Sequence, residues 1–158
     1  MIPDPFESVS AKIQQMNEPF NDPEPSPSSP VLFYDGVCSL CNRSVRWVIR
    51  RDRVGVFRFA SLQSAAAARM LPPGLAGTGA SSTVILLDGS DVLTKSDVWM
   101  RTVRRFGAPW SWLAALSVIP RPLRDRVYDF VAARRYRWFG RLDQCPLPDP
   151  KFRGRFLD

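Results

Sequence analysis

The chain has 158 residues, 45% of them apolar, enough for one domain with a proper hydrophobic core. It carries a formal net charge of +7 and no histidine. The lack of histidine excludes Ser-His and Cys-His catalysis, imidazole metal ligands and imidazole acid–base work. Three cysteines are too few, and the wrong parity, for a secreted disulfide scaffold.

The first thirty residues set Asp4, Glu7, Glu18, Asp22 and Glu24 against Lys12 alone, a net of −4, so the remainder carries +11. They also hold seven of the fifteen prolines. Residues 1–29 therefore read as a disordered, acidic, Pro/Ser-rich tail, with Ile13 and Met16 offering a short docking helix at most. No secretory signal is visible, so the expected location is cytoplasmic, where a Cys pair serves redox catalysis or metal binding more often than structure. The positive remainder favours anionic partners.

From Pro30 the pattern becomes that of a packed domain. Val31, Leu32, Phe33 and Tyr34 predict a strand buried on both faces. Asp35-Gly36 breaks it, and Cys38-Ser39-Leu40-Cys41 opens a helix whose apolar face holds Cys41, Val45, Val48 and Ile49. Arg43, Arg46 and Arg50 line another face. Val54-Gly55 ends that helix, and Val56, Phe57, Phe59 and Leu62 predict a second strand, parallel to the first across the helical crossover. An Ala-rich helix over Gln63–Met70 and a Gly/Ser/Ala loop to about Ser82 follow. Thr83–Leu87 is a third strand, Asp88-Gly89 a hairpin turn and Val92-Leu93-Thr94 a fourth. Ser96-Asp97 caps a helix that runs to Phe106 and stops at Gly107. The order β-α-β-α-β-β-α is that of a thioredoxin-like α/β domain, assigned to residues 30–107. Residues 108–158 are assigned to a helical extension packed on it, with helices over Trp110–Ile119 and Pro122–Trp138. An irregular tail from Gly140, holding Cys145, ends the chain. No run is long and apolar enough for a transmembrane segment.

The chemistry concentrates at Cys38 and Cys41. A thiolate at a helix N-terminus meets unsatisfied N–H groups and the positive end of the helix dipole, which lowers its pKa. Cys38 is read as the exposed nucleophile, and Cys41, one turn in, as the buried resolving thiol. The competing readings are two structural thiols, or a zinc site built from all three cysteines and a carboxylate. Asp35 suits either a proton relay for the buried thiol or simply the turn.

Tyr34-Asp35-Gly36-Val37-Cys38-Ser39-Leu40-Cys41-Asn42, Phe59-Ala60-Ser61-Leu62-Gln63 and Arg-Trp-Phe-Gly-Arg with Asp143 and Cys145-Pro146 together resemble the DCC family of predicted thiol–disulfide oxidoreductases. The resemblance covers about residues 30–148. It implies a thioredoxin-like fold with Asp35, Cys38 and Cys41 as motif residues. The dithiol reading of Cys38 and Cys41 expects exchange with a protein disulfide or a low-molecular-weight thiol such as glutathione, with no cofactor or metal. Ordinary thioredoxins place a cis-proline immediately before the third strand, where extended substrate docks. Here Ser82-Thr83 stand in its place, which implies a different substrate mode and leaves metal binding open. The alternative function is a redox-inert or metal-binding interaction module on the same scaffold.

Other motifs have plainer readings. Lys95-Ser96-Asp97 matches the place where glutaredoxin-like proteins hold a carboxylate, but a helix cap explains it. Arg134, Arg135, Arg137 and Arg141 with Tyr136 and Trp138 suit phosphate or nucleic acid. A solvated face pairing with Asp125 and Asp129 is preferred, and no specific nucleic-acid motif accompanies them. Trp110-Ser111-Trp112-Leu113 beside Arg121 and Arg124 suits a membrane interface, and a core helix is preferred. Cys145 is read as passive.

Overall fold

A computed structural model describes residues 29–76, 83–143 and 149–157. The acidic tail up to residue 28, most of the loop ending at Ser82, and Cys145 lie outside the described residues.

β1 (Val31–Tyr34) is central. It pairs in parallel with β2 (Arg58–Ser61) on one side and antiparallel with β3 (Ile85–Asp88) on the other, and β3 pairs antiparallel with β4 (Asp91–Thr94). The sheet order is β2-β1-β3-β4. Alternate β1 side chains serve opposite faces. Leu32 and Tyr34 join Val45, Val48, Phe57 and Phe59 under α1 (Ser39–Arg51), together with Val98 of α3 (Ser96–Arg105). Val31 and Phe33 join Ala60, Leu62, Ala66 and Ala67 under α2 (Ala65–Met70). Helices thus cover both faces of a mixed sheet, as the element order predicts for a thioredoxin-like domain.

Two strands are shorter than their apolar runs, and side chains explain both. The N–H groups of Val56 and Phe57 donate to the Asp52 carboxylate at 3.1 and 2.9 Å, so β2 begins at Arg58. Val84 N–H and the Thr83 hydroxyl donate to the Tyr128 hydroxyl at 3.0 and 2.9 Å, so β3 begins at Ile85.

The last third departs further from expectation. Trp110–Val118 forms a 3₁₀ helix rather than a core α-helix. Its sequence is apolar without helical period, so it has no single face to bury. Trp112 is 66% and Val118 86% exposed. Trp110 is anchored by the Arg51 guanidinium, which lies 4.1 Å from its ring and 4.2 Å from that of Trp47, and Ser117 accepts from Arg104 at 3.2 Å. α4 (Arg121–Phe139) then packs across α1 and α3.

Among the described residues of the C-terminal end, 149–157 are not irregular. Pro150–Arg155 is a second 3₁₀ helix, Phe156 pairs in parallel with Phe59, and Leu157 N–H donates to Phe59 C=O at 2.9 Å. Arg155, 1% exposed, forms an ion pair with Asp52 and donates to Phe57 C=O at 3.3 Å. Removing one partner of such a buried pair leaves an uncompensated charge. Arg155→Met is therefore expected to cost about 3 kcal/mol, the low end for a buried pair, because the terminal segment can peel away and rehydrate Asp52. Urea denaturation measures the loss, and faster exchange of the Leu157 amide locates it.

Candidate functional site: a dithiol at the start of α1

The turn from β1 to α1 is held at several points. Asn42, on the first turns of α1, donates its amide to Gly36 C=O at 2.7 Å and to Cys38 C=O at 3.0 Å. Gln63, just after β2, accepts from Gly36 N–H at 3.2 Å and donates to Asp35 at 3.2 Å. Ser61 fixes that side chain by donating its hydroxyl to the Gln63 carbonyl. The Phe-Ala-Ser-Leu-Gln motif therefore serves the loop that presents the cysteines, although 27 residues separate Gln63 from Gly36.

Cys38 is the N-cap of α1, with extended backbone (φ −88°, ψ 117°) and its sulfur accepting from Cys41 N–H at 3.3 Å. A thiolate thus takes the role usually filled by Ser or Asp oxygen. No acidic residue in the first turn opposes it. The Cys41 thiol donates to Cys38 and holds the Cys38 pKa down at about 6. Burial opposes this, while the Cys41 backbone N–H and the Arg135 charge assist it. The same hydrogen bond, together with burial and the neighbouring thiolate, pushes the Cys41 pKa up. The two environments drive the thiols apart, as an attacking and a resolving thiol require.

The exposure expected of the pair is reversed. Cys38 is 0% exposed, whereas Cys41 is half-buried. The chain leaving α4 causes this. Gly140, at φ +82°, turns it back so that residues 140–142 run alongside residues 37–39. Leu142 N–H donates to Val37 C=O at 2.8 Å, Ser39 N–H to Gly140 C=O at 3.5 Å, and Arg141 bridges Cys38. The open approach lies instead beside Cys41. There a mostly apolar cavity of about 250 Å³ sits between α1 and α4, lined by Leu40, Cys41, Trp99, Tyr128, Val131 and Arg135, among others.

Asp35 lies 3% exposed beneath the dithiol. It accepts from Val37 N–H at 3.3 Å, from Gln63, from the Arg135 guanidinium at 3.2 Å and from the Tyr136 hydroxyl. Arg135 and Tyr136 were expected on a solvated face, yet Arg135 is 3% exposed and stacks on the Tyr136 ring at 4.6 Å. They are the site residues that composition alone misses. A usable signal was present: Arg124, Tyr128, Val131, Ala132 and Arg135 share one helical stripe, so the polar ends of that stripe had to be buried too. The acids meant to pair with the arginine run are used otherwise, Asp129 by Lys95 at 2.7 Å and Asp125 by Ser96 and Arg121.

The anion-site reading of Lys95-Ser96-Asp97 fails for the same reason. The Asp125 carboxylate already accepts from Ser96 N–H at the start of α3, and Asp97 pairs with Arg121 and Arg124. Lys95 itself is the N-cap, at φ 54° and with no side-chain cap bond. Among the described residues no three Cys, Asp or Glu side chains converge as a metal site.

A thioredoxin-like sheet with a Cys-x-x-Cys pair capping the helix after its central strand defines a dithiol protein of that superfamily. A family model, DCC1-like thiol-disulfide oxidoreductase, matches residues 32–141, and the chain belongs to this family. It is 38% identical over 127 residues to YuxK of Bacillus subtilis (strain 168), itself uncharacterized, covering 80% of this chain and 93% of that protein. It is 35% identical over 119 residues to a chloroplastic DCC family protein of Arabidopsis thaliana, covering 75% and 69% of the two chains. No solved structure matches.

Proposed function

We propose that the protein is a thiol–disulfide oxidoreductase in which Cys38 is the nucleophile and Cys41 the resolving thiol. The observation that carries this reading is Cys38 standing at the N-cap of α1 with its sulfur accepting from Cys41 N–H at 3.3 Å, an arrangement that favours the Cys38 thiolate and holds Cys41 protonated. The Cys38 thiolate attacks one sulfur of a substrate disulfide, forming a mixed disulfide and expelling one substrate thiolate. Cys41 then gives up its proton and attacks the Cys38 sulfur. The Cys38–Cys41 disulfide forms, the second substrate thiolate leaves, and two electrons have passed to the substrate. The reverse sequence oxidises a dithiol.

Two features shape the substrate. Residues 140–142 must move off Cys38 before a bulky disulfide reaches it. The Val84 N–H, just before β3 and beside the dithiol cavity, is engaged by Tyr128 and so is not free to pair with an extended peptide. Both favour a compact disulfide over an extended chain. Both oxygens of Asp35 are occupied, which fits a positioning residue that holds Arg135 and Tyr136 against the dithiol better than it fits a proton relay.

The direct test is a redox titration of the full chain in glutathione buffers with mass-spectrometric mapping. A reversible two-electron Cys38–Cys41 transition, lost in Cys38→Ser, is expected. A pair that never closes, or reaction at Cys145 alone, would move the protein to the interaction-module reading.

A further inference from the structure

We propose that the outward face of α4, with the turn leading into it, docks on an anionic lipid bilayer surface. The inward stripe of α4 is committed to the site. Its outward side chains Leu123 and Phe130 are 54% and 51% exposed, Val127, at the rim of the cavity beside Cys41, is 61% exposed, and Val118, just before the helix, is 86% exposed. At helical spacing, Leu123, Val127, Phe130, Arg134 and Trp138 fall within an arc of roughly 80°. Phe130 and Trp138 stack edge-on at 5.7 Å, and each still leaves about half its surface open. Isolated exposed apolar residues are ordinary, but a contiguous stripe marks an interaction surface.

Charge selects the occupant. Arg126 and Arg137 line one side of the stripe, and the Arg134 guanidinium lies 3.8 Å over the Phe130 ring. None of these three has a carboxylate partner among the described residues. The acids of the helix are spent elsewhere, Asp125 on Ser96 and Arg121 and Asp129 on Lys95. A second copy would bring these arginine rows against each other. An anionic bilayer satisfies both features: the aromatic and aliphatic side chains enter the headgroup boundary while the guanidinium groups meet lipid phosphate. The helix lies flat on such a surface, since no helix among the described residues is long and apolar enough to cross.

Flotation of the full chain with phosphatidylcholine vesicles, with and without phosphatidylglycerol, tests this independently of the thiol chemistry. Binding should be roughly tenfold or more tighter to the anionic vesicles and weakened by high salt. It should fall by a similar factor in Leu123→Ser/Phe130→Ser and in Arg126→Gln/Arg137→Gln, and be unchanged in Cys38→Ser. An unaltered pH profile of Cys38 alkylation in both double variants shows that they fold. No flotation at low salt, equal binding to neutral vesicles, or variants that bind like the parent would overturn the proposal. So would a dimer by light scattering that the Leu123→Ser/Phe130→Ser variant dissolves, which assigns the face to a second copy. A cross-link between α4 and the acidic first thirty residues would assign it to that segment.

Discussion

Alkylation of Cys38 should titrate with a midpoint near pH 6, against an ordinary 9.0, while Cys41 stays protonated across the same range. At pH 7 about nine-tenths of Cys38 is then thiolate, against about one-hundredth for an unperturbed thiol. The rate gain at pH 7 is much smaller than that ratio, because a less basic thiolate is a poorer nucleophile. With a Brønsted slope of about 0.45, three units of basicity cost roughly twentyfold, leaving a net gain of roughly fourfold. The larger consequence is thermodynamic. Above pH 6 the dithiol is stabilised by ionisation and the disulfide is not, so reduction takes up one proton per two electrons instead of two. The reduction potential should fall by roughly 59 mV per pH unit below pH 6 and roughly 30 mV above it. Cys38→Ser removes both signatures and takes exchange activity to background. The cover by residues 140–142 slows reagent access at every pH and leaves the midpoint in place. A midpoint above 8, or a slope without a break, would sink the assignment of Cys38 as nucleophile.

The part of this site that was legible in the sequence is the part encoded locally. Four apolar residues before Asp-Gly make β1, and the amphipathic run after Cys38 makes α1, because strand and helix periods are written in neighbouring positions. The placement of Cys38 at the helix start follows directly, and the three-residue spacing to Cys41 allows the thiol hydrogen bond that most lowers its pKa. Its burial does not, since that depends on Gly140 turning a chain a hundred residues further on across the loop. Arg135 was hidden in a string of like residues. Composition assigns arginines to solvent by default, and only the stripe shared with Tyr128 and Val131 sets this one apart. The apolar run at Trp110–Ile119 misled in the opposite direction. Hydrophobicity without a period does not specify a buried face, and here most of it stays at the surface.

The Asp35–Arg135 pair should reveal itself by moving stability and thiol acidity in different ways. Both side chains are 3% exposed, so removing either charge strands the other in a medium that cannot solvate it. Arg135→Met and Asp35→Asn are each expected to cost about 3–5 kcal/mol in urea denaturation. The double variant should recover part of that loss, because no lone charge remains buried. The effects on Cys38 have opposite signs. The Arg135 charge favours the Cys38 thiolate and the Asp35 charge opposes it, so Arg135→Met raises the alkylation midpoint and Asp35→Asn lowers it. A merely structural pair would destabilise the fold in both variants and leave the midpoint where it was. If the two midpoints move together, the electrostatic link between this pair and the dithiol is wrong, whatever the stability data show.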